Sequence, residues 1–200
     1  SVKFALKAQD ARVDAVVAEG FEAGGHNGRD ETTTLVLIPK VAKEITIPLI
    51  AAGGIGTGRQ MLAAMALGAD AVQIGSRFVA TPESSAHQNF KDVVVNTQEG
   101  DTQLTLKELT PVRLIKNEFY QQLEKAYENC ATTEELTQIL GRGRAKKGMF
   151  EGDLVDGELE IGQVASLIDE IIPAAEVVKE IMTEYQLARQ ELQTEKYSFE

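Results

Sequence analysis

Tryptophan is absent from this 200-residue chain, cysteine occurs once, and histidine occurs twice. No apolar run approaches the ~20 residues that span a bilayer, and no segment has the build of a secretory signal, so no membrane partner is expected. A single cysteine, Cys130, excludes an internal disulfide and fits a reducing, cytoplasmic setting. It lies in a helical pattern and is expected to be small buried or half-buried filler. Basic residues are in deficit, with 20 Lys and Arg against 31 Asp and Glu, a net charge of −11. That balance argues against a general nucleic-acid binder. No metal site is expected.

What the chain does have is one dense stretch, residues 47–78, IPLIAAGGIGTGRQMLAAMALGADAVQIGSRF. Ile47–Ala52 is short and apolar, as a strand buried on both faces would be. Four glycines follow (Gly53, Gly54, Gly56, Gly58), then a helical pattern from Arg59 to Leu67 and a second strand, Ala71–Ile74, ending in Gly75-Ser76. This is a βαβ unit with a small-residue loop after each strand. Glycine lets backbone N–H groups face an anion, and a helix N-terminus adds positive charge. GGIGTG is not the dinucleotide fingerprint, and no acidic residue stands at the ribose distance. An ordinary pair of tight turns also satisfies it, but Gly75-Ser76 closing the next strand favours a phosphate, as in the last two loops of a (β/α) barrel.

The rest alternates around that unit. Residues 1–12 have helical spacing with Ser1 as N-cap, Asp14–Ala18 reads as a buried strand, and residues 31–44 form a helix capped by Thr32, Thr33 or Thr34 and made irregular by Pro39. Helix–strand alternation of this kind predicts a parallel α/β sheet. After Pro82 the pattern changes. A short strand is predicted within residues 100–110, and helices over Asn117–Cys130 and from a Thr132–Glu135 capping box to Leu140. Further helix is predicted from Gln163 and from Pro173 to about Glu195, the last with Val177, Val178, Ile181, Met182 and Leu187 as candidates for its buried side.

Two features between these elements are chemical. His26 stands in Gly24-Gly25-His26-Asn27-Gly28, directly after a strand, and histidine exchanges protons near neutral pH. A loop histidine is often satisfied by backbone groups, but the glycines and the position favour a functional role. His87 has no such setting and reads as structural. The basic run Arg142–Lys147 is either a solvated loop or a site for an anion or acidic partner.

EGFEAGGHNG followed by IAAGGIGTGRQMLAAMALGADAVQIGSRFVATPES resembles the FMN-dependent nitronate monooxygenase and enoyl-acyl-carrier-protein reductase II family, whose members are (β/α)₈ barrels. The resemblance implies that backbone groups around Gly53, Gly54, Gly75 and Ser76 hold the FMN phosphate. It also implies that Glu19, Gly24 and Gly25 lie beside the flavin, and that His26 is the catalytic histidine. Matched to the family, Ser1 falls at the end of strand 5, and Asp14–Ala18, Ile47–Ala52 and Ala71–Ile74 are strands 6, 7 and 8. The expected architecture is therefore the C-terminal part of a TIM barrel over residues 1–81. A mainly helical extension over 82–200 would carry a substrate or lid segment and helices packing back on the barrel. Strands 1 to 5 are expected to lie outside this chain.

The resemblance implies two activities. One is reduction of an enoyl thioester on an acyl carrier protein, with NADH or NADPH as reductant, in fatty acid synthesis. The other is oxidation of a small alkyl nitronate by FMN and oxygen. The segments Pro111–Asn117 and Glu151–Gly157 with Ile161–Ala165 resemble the reductase. The lack of tryptophan before Gly162-Gln163, where bacterial monooxygenases tend to carry one, points the same way. The basic loop would suit an acidic carrier protein, and the exposed side of the last helix a homodimer. A non-catalytic flavin-binding or assembly piece is the reading from another class.

Overall fold

A computed structural model describes residues 1–194 and 196. In chain order the elements are α1 (Val2–Asp10), β1 (Val16–Glu19), β2 (Gly25–His26), α2 (Thr34–Ala42), β3 (Leu49–Ala52), α3 (Gly58–Ala66), β4 (Ala71–Gln73), α4 (Ser76–Val79) and α5 (Gln88–Val95). They continue with β5 (Thr102–Thr105), β6 (Val112–Ile115), α6 (Glu118–Glu128), α7 (Thr133–Leu140), α8 (Arg144–Met149), a 3₁₀ turn (Gln163–Leu167) and α9 (Ala174–Glu191). The chain forms two compact units: Ser1–Glu22 with Thr32–Gly75 and Ile172–Glu200, and Ala23–Glu31 with Ser76–Ile171. The boundary expected at 81/82 falls inside the second unit.

In the first unit a parallel sheet runs in the order β1-β3-β4. Its register sets Glu19 beside Ala52 and Ala52 beside Gln73, so the three strands end level at their C-terminal edge. Ile38 and Val41 of α2, Leu49 and Ala51 of β3 and Ala5 of α1 make its core, as the apolar runs predict. α2 starts three residues later than the expected Glu31 and runs through Pro39. That proline costs only the bond to Leu35, which is exposed and so open to water.

α9 lies on α3 at a backbone approach that glycine permits. A Cβ on Gly58 would stand 2.1 Å from the Ile181 carbonyl oxygen. The buried side of α9 is Val177, Ile181 and Ala188. The expected Val178, Met182 and Leu187 are exposed, because the closest approach to α3 falls at Ile181–Tyr185 and turns those three outward. α9 ends at Glu191, and Glu195, the end expected for it, lies outside the described residues.

The second unit is not simply helical. It contains an antiparallel sheet, β2-β6-β5, whose middle strand β6 is buried at every residue. Leu106, Val112, Leu114, Phe119, Leu123 and Leu136 form one core, and Phe90, Val94, Leu159 and Ile161 belong to another. Both caps of the α6–α7 pair are side-chain bonds. Asn117 accepts from Tyr120 N–H, and Thr132 and Glu135 complete the predicted capping box. Cys130 is exposed, not filler: it follows the end of α6 at φ 55°, where the chain turns out of the helix.

The basic run 142–147 is helical over part of its length rather than a loop: Gly143 at φ 77° opens α8, and Arg144, Lys146 and Lys147 have partners within the unit. Arg144 donates to the carbonyls of Ile139, Leu140 and Asp156 and stacks 4.5 Å from the Phe119 ring. Lys147 pairs with Asp153 and Asp156, and Lys146 with Glu151.

Candidate functional site

The first unit brings Glu19, Gly53, Gly54 and Gly75 to the C-terminal edge of the parallel sheet. Gly20 N–H donates to Ala52 O at 2.9 Å, extending the β1–β3 pairing one step. Gly53 then turns at φ 84°, so close to Gly20 that a Cβ would stand 2.5 Å from Gly20 O; Gly54 follows at φ 69°. A side chain with a β-carbon rarely adopts such angles. Gly75, after β4, faces open space, with nothing within 4 Å of where a Cβ would be. The N–H groups of Gly53, Gly54 and Gly75 bond to no acceptor among the described residues. Glu19 is exposed at the end of β1, and partial desolvation holds its carboxyl above the ordinary range.

Glu22 fixes this turn, and the sequence reading passed over it. Its carboxylate accepts from Thr34 N–H at 3.0 Å, capping α2 in place of the expected threonines; the N-cap, Thr33, makes no side-chain bond. Thr34 Oγ1 lies 3.0 Å from Glu22 Oε2 and 2.8 Å from Gly53 O, one proton serving two acceptors.

The N-terminus of α3 does not add to the site as expected. Gln60 Oε1 accepts from Gly56 and Thr57 N–H, Thr57 Oγ1 from Gln60 N–H, and Glu184 Oε2 from Gly58 N–H. A helix start closed by side chains has few donors left for a ligand. Only the first two glycines of GGIGTG therefore keep their donors.

The second unit holds Gly24, Gly25, His26 and Ser76. Gly24 is pressed against the next chain segment: a Cβ would stand 2.4 Å from Ile161 C and 2.5 Å from Gly162 N. Ser76 Oγ accepts from the same Gly162 N–H at 3.0 Å, which leaves its own proton to give. Gly24 and Ser76 are thus brought together at Gly162.

His26 is exposed and sits on a two-residue strand rather than in a loop. Gly25 at φ 72° turns the chain onto the edge of β6. Asn27 secures the turn by donating from Nδ2 to Ala23 O and from its backbone to Pro111 O. Glu160, a second residue the sequence reading missed, lies beside Gly25. His87 is structural as expected, its Nδ1 accepting from Asn89 N–H to cap α5. No helix among the described residues is long and apolar enough to cross a membrane.

Glycine turns after neighbouring parallel strands define an α/β protein of the kind that takes ligands at the carboxyl ends of its strands. The chain belongs to the nitronate monooxygenase family, whose model matches residues 1–184. A probable nitronate monooxygenase of Staphylococcus saprophyticus is 36% identical over 162 residues, covering 74% of this chain and 45% of that protein. Among solved structures, FabK from Thermotoga maritima is similar at a TM-score of 0.87 and 42% identity, over 96% of this chain and 61% of that one. Nitroalkane oxidase from Streptomyces ansochromogenes is similar at a TM-score of 0.77 and 32% identity, over 96% and 57%. The chain spans about half the length of the curated relatives it matches.

Proposed function

We propose that the protein carrying this chain is an FMN-dependent oxidoreductase that oxidises small alkyl nitronates and nitroalkanes. The observation that carries this reading is the family match over residues 1–184, joined by curated relatives named probable nitronate monooxygenase. The reductase, which the C-terminal segments favour by sequence, becomes the second reading.

The residues present fit an FMN phosphate. Gly53 and Gly54 have the left-handed backbone of an anion cradle, and Gly75 leaves room. In this proposal Gly53, Gly54 and Gly75 of the first unit hold the phosphate, with Glu19 of the same unit beside the ring system. Bound flavin would supply the redox chemistry, and the protein supplies binding and proton traffic. A neutral nitroalkane must first lose the proton on its nitro-bearing carbon. His26 takes that proton on a ring nitrogen, the C–H electron pair moves into the new C=N bond, and negative charge settles on the nitro oxygens.

The second reading is reduction of a carrier-bound enoyl thioester by NADH or NADPH. It is favoured by the 42% identity to FabK, an enoyl-acyl-carrier-protein reductase II. Oxygen uptake by the full-length protein with ethyl nitronate, set against anaerobic NADH oxidation with a crotonyl carrier protein, decides between them. Uptake in the first assay and none in the second is expected; the reverse would install the reductase. His26→Ala should keep its flavin fluorescence and lose about 10²-fold or more in turnover on nitroethane. Gly53→Val should lose the flavin, since its Cβ meets Gly20 O.

A further inference from the structure

A backbone turn that holds an anion needs its N–H groups aimed, and the first unit contains the groups that aim them. In a trans peptide the C=O of one residue and the N–H of the next point in opposite directions. Whatever holds the oxygen therefore sets the direction of the N–H. Ala52 O takes the Gly20 N–H at 2.9 Å on the β1 side. Because β3 lies between β1 and β4, the Gly53 N–H points to the side of β4.

The next carbonyl is held by a side chain. Thr34 Oγ1 lies 2.8 Å from Gly53 O and 3.4 Å from Ala52 O, so the Gly54 N–H points away from Thr34. Thr34 is the first residue of α2 and is buried. Both carboxylate oxygens of Glu22 take its backbone N–H at 3.0 Å, and Oε2 also stands 3.0 Å from its Oγ1. Glu22 lies along the turn as well: a Cβ on Gly54 would stand 3.3 Å from Glu22 Cβ. Gly20 makes the room for the hydroxyl, since a Cβ there would stand 2.1 Å from Thr34 Oγ1. A turn fixed in its binding geometry beforehand loses less freedom when the ligand arrives.

We propose that Thr34 is a positioning residue for the FMN phosphate: by holding Gly53 O it keeps the Gly54 N–H aimed at the anion. Glu22 fixes Thr34 for that task. The identity of the anion rests on the flavin reading above; the hydrogen bonds do not.

The test titrates the full-length protein, freed of flavin, with FMN and with riboflavin, which has the same ring system and no phosphate. Thr34→Val, which replaces the hydroxyl by a methyl, should bind FMN about tenfold more weakly and riboflavin within about twofold of wild type. Thr34→Ser, which keeps the hydroxyl, should stay within about threefold of wild type on FMN. A purely structural role would weaken both flavins alike. That result overturns the proposal, as does a Thr34→Ser protein as weak on FMN as Thr34→Val. If Thr34→Val does not fold, Thr34→Ala removes the same hydroxyl without added bulk, and the same comparison decides. A wild type that does not prefer FMN to riboflavin overturns the phosphate site and the role of Thr34 together. A wild type with that preference, and an unchanged FMN affinity in Thr34→Val, overturns the role of Thr34 alone.

Discussion

Glu158 carries the plainest consequence at the scale of single residues. It is buried, and burial with Glu160 nearby pushes its carboxyl up to about 7 from an ordinary 4.5, against the pull of Arg144. Between those two values the folded chain holds a proton that the unfolded chain has released. Stability therefore falls as pH rises from about 4.5 to 7, by on the order of 2 kcal/mol after discounting for partial access of water. Glu160, also raised by burial, acts with the same sign. Thermal unfolding at pH 5.0 and 7.5 should show wild type losing stability across the interval, and Glu158→Gln losing distinctly less. Asp153, held down to about 2 chiefly by the Asp156 N–H and then by Lys147, contributes in the opposite sense, and only below about pH 4. Equal pH dependence in wild type and Glu158→Gln would remove Glu158 as the cause.

Elements separate what local sequence encodes from what only the fold decides. The α7 capping box was legible because Thr132 and Glu135 act within one turn; Thr132→Ala should cost about 1 kcal/mol in urea unfolding. Gly58 is the contrary case. Its N–H is satisfied by Glu184, 126 positions away, and its missing Cβ seats α9 on α3. Gly58→Ala should cost about 1–3 kcal/mol by overpacking, although alanine is the better helix former. A stabilised Gly58→Ala would mean that the two helices part easily.

The same division governs the site. β1, β3 and β4 were readable as apolar runs bounded by glycine, and so were the turns at Gly53-Gly54 and Gly75-Ser76. β6 was not, because Arg113 interrupts its apolar run and is nonetheless buried. Without β6, the strand that carries His26 and the approach of Glu160 could not be inferred. The closure of the α3 N-terminus by Gln60 and Glu184 depends on geometry in the same way.

At the scale of the whole molecule, the first unit's sheet has β1 and β4 at its flanks. Parallel sheets are ordinarily covered on both faces, and a strand edge left open is a template for association. Val17 of β1 is 46% exposed, and Phe4, Leu35 and Val36 of the same unit more so. Opposing association is the net charge of −11, a repulsion that salt screens within about 10 Å at 0.1 M, whereas apolar contact is not screened. Residues 1–200 expressed alone should therefore self-associate more as salt rises from about 10 mM to 0.5 M, read by light scattering. Val17→Lys should weaken that association at every salt concentration by placing a charge on the edge strand. Charge pairing between copies would give the reverse salt dependence, and that result would move the contact surface away from the sheet edge.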